Sequence, residues 1–106
     1  MKNHDVTITI SRKKFQYDQH CVHVERGDKI TWKLTNAAPF AVIVKEFVSP
    51  LDWSFEVLGP RRKTIAGVVR NDAKPGFHPY SVCVLDGGDL LVDDPEIIVK
   101  PPKGGK

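Results

Sequence analysis

A chain of 106 residues, 41% hydrophobic and 27% charged, has the size and composition of one globular domain that can bury a core without metal or disulfide staples. Its net charge of +3 and pI of about 9.0 are modest, and its basic clusters, Arg12-Lys13-Lys14 and Arg61-Arg62-Lys63, are short and far apart, which argues against a nucleic-acid face. No apolar run reaches the roughly 20 residues of a membrane span, and two cysteines, Cys21 and Cys83, make no disulfide framework.

Val6, Ile8 and Ile10 alternate with Thr7 and Thr9, the pattern of a half-buried strand that Arg12 to Lys14 breaks. In the next stretch Val22 and Val24 share one face and Cys21, His23 and Glu25 the other. Gly27-Asp28 is a turn. Ile30, Trp32 and Leu34 then alternate with Thr31, Lys33 and Thr35 as a second clear strand, with Trp32 facing the core. Asn36 to Pro39 is a loop, and Phe40 to Phe47 reads as a more buried strand. Ser49 to Gly59 is an irregular crossover, with one helical turn or a short strand around Trp53 and Phe55. Lys63 to Val69 is another strand. A Pro75-Gly76 turn leads into the strand of Tyr80, Val82 and Val84, then a Gly87-Gly88 loop and a last strand of Ile97, Ile98 and Val99. The core is expected to hold Val22, Val24, Ile30, Trp32, Leu34, Val82, Val84 and Ile98 or its neighbours.

Seven or eight short strands without a helical period predict an all-β sandwich, antiparallel or mixed. Residues 1–100 form the domain, and 101–106 are a disordered tail. The first residues lack the apolar stretch of a signal peptide. The expected location is therefore cytoplasmic as the chain stands, or periplasmic if a leader has been trimmed from it.

The order of these motifs resembles the cupredoxins over roughly Val6 to Val99. Val22 to Trp32 matches the family pattern of two alternating apolar residues, a Gly-Asp turn and an apolar-x-aromatic strand. Asn36 to Val44 resembles the loop and strand that carry the family's first copper histidine. Lys63 to Tyr80 resembles the strand, Pro-Gly turn and aromatic strand ahead of its copper cysteine. The resemblance implies a Greek-key sandwich in which the loop between the last two strands supplies most of the copper ligands.

A type 1 copper site needs two imidazoles and one thiolate near one plane, with a weak axial ligand. Carried over position by position, the first histidine falls on Phe40, after Pro39. The cysteine falls on Val84, or on Val82 in the shorter register, and Cys83 lies between them on the opposite face. The second histidine falls on Gly87 or Leu85, and the axial methionine near Val92; the one methionine is Met1. The resemblance thus implies a copper-less member with no cofactor, in which Phe40 and Val84 pack together. In the family fold Cys21 and Cys83 should point outward from different sheets, as reduced, unpaired thiols.

Other residues offer different chemistry. Cys21 and His23 share a strand face, next to His20, and His4 or Cys83 could add a third metal ligand from a neighbouring strand. Met1-Lys2-Asn3-His4 nearly makes an amino-terminal copper chelate. His78, beside Pro79, reads as a rim residue. Asp86, Asp89, Asp93, Asp94 and Glu96 are acidic turn residues without calcium-loop spacing. No nucleophile elbow, triad or phosphate loop is present, which argues against an enzyme.

Three functions follow as expectations. One is a non-catalytic module that binds an unidentified protein or peptide, with Trp53, Phe55 and His78 as candidate contacts. Another is a metal-handling or electron-transfer protein with a rearranged site drawn from His20, Cys21, His23, His78 or Cys83. The third is a structural partner in a larger assembly, including a homodimer through exposed strands. None involves nucleic acid or a membrane, and the expected state is a monomer or weak homodimer.

Overall fold

The computed structural model describes residues 2–46, 48–58 and 64–101. Met1, Phe47, Gly59, the Arg61-Arg62-Lys63 cluster and the tail from Pro102 onward lie outside the described residues. Ten strands follow in chain order: β1 Asn3–Ser11, β2 Lys14–Tyr17, β3 Cys21–Val24, β4 Lys29–Leu34, β5 Phe40–Val44, β6 Phe55–Leu58, β7 Thr64–Val68, β8 Gly76–Asp86, β9 Asp89–Asp93 and β10 Glu96–Val99. One sheet has the order β2-β1-β4-β7. The other has the order β3-β10-β8-β5-β6, with β9 added alongside β8. The β1–β4 and β3–β10 pairs are parallel, so the sandwich is mixed.

Period-2 alternation builds the core. From the first sheet Val6, Ile8, Ile30, Trp32, Leu34 and Ile65 point inward. They meet Val22, Val24, Phe40, Val42, Val82, Val84, Ile97 and Val99 of the second sheet in one apolar cluster. Ile98 is half-buried on the outer face, so its neighbours Ile97 and Val99 occupy the core.

The strand count exceeds the expected seven or eight because two tight hairpins stand where breaks were read. Arg12 and Lys13, with φ of 54° and 65°, turn β1 back into β2. Gly87 and Gly88, with φ of 59° and 90°, fold β9 back onto β8. Two consecutive left-handed residues suit a two-residue hairpin in a right-twisted sheet. The crossover around Trp53 and Phe55 contains the short strand β6, not a helical turn.

Asp28 fastens the start of β1 to the turn between β3 and β4. Its carboxylate accepts hydrogen bonds from the Lys2 amide at 3.0 Å, the Glu25 amide at 2.9 Å and His4 Nε2 at 2.8 Å. Burial alone would raise this carboxyl, but the three donors together outweigh it and hold it at about 2, below the usual 3.8. A depressed folded value means stability that is complete above the unfolded pKa and lost as pH falls from about 4 through about 2, worth about 2 kcal/mol. Asp28→Asn is expected to lower the urea midpoint at pH 6, with the gap to the parent protein closing as the pH approaches 2. A gap independent of pH would show that the carboxylate's charge contributes nothing.

Candidate functional site

The end of the sandwich where β5 begins and β8 finishes holds the positions singled out for copper. Phe40 and Val84 are direct cross-strand partners, 2% and 0% exposed. Val42 and Val82 form the next inward pair along the same strands, and both are fully buried. The Leu85 amide donates to the Pro39 carbonyl at 3.1 Å, which binds the lead-in of β5 to β8. Whether the register falls on Val84 or Val82, the inward group is therefore a valine methyl in the core. Cys83 pairs with Ala41 on the opposite face and is half-buried there.

Gly87 and Val92 do not join Phe40 and Val84. Gly87 sits at the exposed tip of the β8–β9 hairpin, where its positive φ serves the turn. Val92 pairs with Cys83 on the outer face and is 55% exposed, while its neighbour Leu91 pairs with Val84 and packs against the core. Leu85, the alternative to Gly87, is also exposed on the outside. The turn separates these positions: once Gly87-Gly88 keeps β9 in the sheet, alternation sends every second residue outward. Lys13 closes over this hairpin, donating to the Asp86 carbonyl at 2.9 Å and pairing with the Asp86 and Asp89 carboxylates at 3.2 Å each.

No protein-family profile matches the chain, and no curated protein does. Solved structures do match. A purple cupredoxin from Nitrosopumilus maritimus superposes with a TM-score of 0.61 at 12% identity, over 92% of this chain and 99% of the other. A plastocyanin from Dryopteris crassirhizoma gives 0.59 at 13% identity, over 91% and 99%. A pseudoazurin from Sinorhizobium gives 0.57 at 15%, over 97% and 77%. The fold is a cupredoxin-like β-sandwich. At these identities the likeness establishes the fold alone, and the copper centre has to be judged from the residues present. Phe40, Val84, Gly87 and Val92 offer no imidazole, thiolate or thioether, and only the first two share a place. They do not fit a type 1 copper ion.

The other candidate ligands in this cupredoxin-like fold are dispersed or already engaged. Among the described residues no three His, Cys, Asp or Glu side chains converge as a metal-holding group. Cys21 Sγ lies 3.5 Å from Glu96 Oε1, and partial burial with this carboxylate pushes the thiol up, away from the thiolate a metal needs. Burial, helped by Asp94, does the same to Cys83. Both cysteines are free, as expected, but they lie on β3 and β8 of the same sheet, not on different sheets. His23 is exposed beside Cys21, His20 lies 3.8 Å from Asp93, and His4 is held by Asp28. Asp94 pairs with Lys45 at 2.9 Å and accepts from the Ser81 hydroxyl at 2.8 Å, and these contacts hold its carboxyl low.

Of the three candidate partner contacts, His78 and Trp53 are engaged within the chain. His78 is 5% exposed and faces inward from β8. Its Nε2 donates to the Lys74 carbonyl at 2.6 Å and its Nδ1 meets the Glu46 carboxylate, so neither nitrogen is free. The pair borders a hollow of about 290 Å³ that Val48, Ser49, Pro50 and Lys74 also line. Sequence reading missed this pairing because Glu46 and His78 lie on different elements. Trp53 is half-buried: its indole donates to the Ala66 carbonyl at 2.8 Å and packs 5.8 Å from the Trp32 ring. A Cβ at Gly67 would come within 3.1 Å of that indole, so the glycine makes its seat. Phe55, in contrast, is 64% exposed.

Two measurements check this geometry. Phe40→Ala should cost about 3–5 kcal/mol of unfolding free energy, while Val92→Ala changes it by less than about 0.5 kcal/mol. Equal effects would mean that the β9 register is wrong. His78→Leu strands Glu46 and the Lys74 carbonyl, and should cost about 1–3 kcal/mol in urea melts at neutral pH. A neutral result would place His78 at the surface.

Proposed function

We propose that the chain is a cupredoxin-like module without a type 1 copper site, a non-catalytic domain that binds another protein. The observation that carries this reading is the Phe40–Val84 pair, two buried hydrocarbon side chains packed where a histidine and the copper cysteine would stand. Copper there would need donors that these residues lack, and opening the pair would expose core. In the hollow beside His78 the imidazole and the hydroxyl are engaged, which supports a non-catalytic role: His78 has both nitrogens bonded, and the Ser49 hydroxyl donates to the Trp53 carbonyl at 2.7 Å while accepting from the Leu51 amide. Binding then falls to the exposed apolar residues, of which Phe55 is one.

The test is titration of the full chain with Cu(II), followed by visible and electron paramagnetic resonance spectra. Expected is weak, tetragonal copper on exposed imidazoles such as His20 and His23, removed by a chelator, with no intense visible band. One tightly held equivalent with a strong blue or purple thiolate band and narrow hyperfine splitting would overturn the reading. Loss of that band in Cys83→Ser, but not in Cys21→Ser, would assign it to a rearranged site on β8.

A further inference from the structure

Among the described residues, the outer face of the β9-β8-β5-β6 segment is an uncharged, uncovered sheet surface. Ala41, Cys83 and Val92 form one row across three neighbouring strands. Leu85 and Leu90 pair in the next row, and Ile43 and Phe55 pair on the other side. Cross-strand partners bring their Cβ atoms to about 5 Å, so these rows merge into one apolar patch. Phe55, Leu85, Leu90 and Val92 are 64%, 46%, 68% and 55% exposed. The patch ends at Ser81, where Asp94 and Lys45 close on each other at 2.9 Å. No described side chain inside that border carries a charge.

We propose that this face is a homodimer interface, covered by a second copy of the chain about a two-fold axis near Cys83. Area is the first argument. The exposed parts of the patch amount to roughly 500 Å², at the upper end for an unpartnered monomer. A standard interface buries about 800 Å² per partner, of which about 65% is apolar in homodimers, so the patch matches the apolar share of one such interface. Shape is the second. An isologous contact must fit itself. The centre, at Ala41 and Cys83, is a shallow apolar hollow of about 130 Å³ that Leu85, Leu90 and Pro39 also line. The rim carries Val92 and Phe55 as projections. Because Val92 and Ala41 flank Cys83 in one row, a two-fold axis through Cys83 lays Val92 of one copy over Ala41, at the edge of the other's hollow. Charge is the third. A peptide or nucleic acid recognised by its charge finds no counter-charge here, whereas an uncharged face meets its own copy without repulsion.

Sedimentation velocity of the full chain over a wide micromolar range tests the proposal. The expected result is a monomer–dimer equilibrium. Leu90→Lys and Val92→Lys should each weaken it about tenfold or more, because each buries an unpaired charge. Phe77→Lys is the control: Phe77 is 67% exposed on the same sheet but pairs with Ile98, beyond the Ser81 border. Circular dichroism identifies any variant that fails to fold, and Val92→Lys decides if Leu90→Lys does. Mild oxidation should give a covalent dimer that Cys83→Ser abolishes and Cys21→Ser keeps. A chain monomeric throughout, or a dimer indifferent to both lysines, overturns the proposal. Neither result bears on copper, whose spectra test the absence of a metal site separately.

Discussion

The hydrogen bond from Trp32 Nε1 to the Tyr80 hydroxyl, 2.9 Å long and fully buried, fixes how the two sheets sit on each other. Trp32 comes from β4 of one sheet and Tyr80 from β8 of the other. Their rings meet edge to face with centroids 5.5 Å apart, and Trp53 packs against Trp32 from the side. A buried indole N–H left without an acceptor costs about 1–3 kcal/mol, so sliding one sheet over the other is penalised beyond the loss of packing. Burial also pushes the Tyr80 phenol well above its ordinary value, which keeps it neutral and available to the indole.

Once Tyr80 is fixed inward, strand geometry decides the rest of β8. Val82 and Val84 follow it into the core, and Cys83 must face out. A thiolate opposite Phe40 would require the strand to slip by one residue. That slip would eject Tyr80, Val82 and Val84 together and leave the Trp32 indole without its acceptor. The outward cysteine is therefore tied to the central aromatic pair, not to its own surroundings.

The alternating strands were legible because each carries its own signal. Val6 to Ile10, Ile30 to Leu34 and Tyr80 to Val84 each read as half-buried, and Phe40 was placed against Val84 from the family likeness. What was not legible depends on distant partners. Arg12 and Lys13 lack the Asn-Gly chemistry of a tight turn, and left-handed backbone costs such residues about 1–2 kcal/mol each. The bridge from Lys13 to Asp86 and Asp89 offsets part of that, and nothing local to Lys13 announces it. Trp53 is seated by a missing Cβ on β7, and His78 by a glutamate in the segment after β5. The two cysteines fell on one sheet because β3 joins β10 in parallel, a pairing between chain segments far apart.

The β8–β9 hairpin links the buried Phe40–Val84 pair to the apolar outer face. A ligand loop has to leave the sheet so that its side chains can turn toward one point. A paired strand cannot do this, since each inward residue is followed by an outward one. Placing Leu91 over Val84 therefore puts Leu90 and Val92 on the outside, whatever the gain inside. Asp86, Asp89 and Asp93 flank this stretch, as charged residues flank exposed hydrophobic strands elsewhere to oppose unspecific stacking. Their side chains belong to the hairpin's ends and inner parity, so they leave the outer rows of the patch neutral. Among the described residues the sheet is thus guarded at its ends and neutral on its face, an arrangement that disfavours edge-to-edge growth.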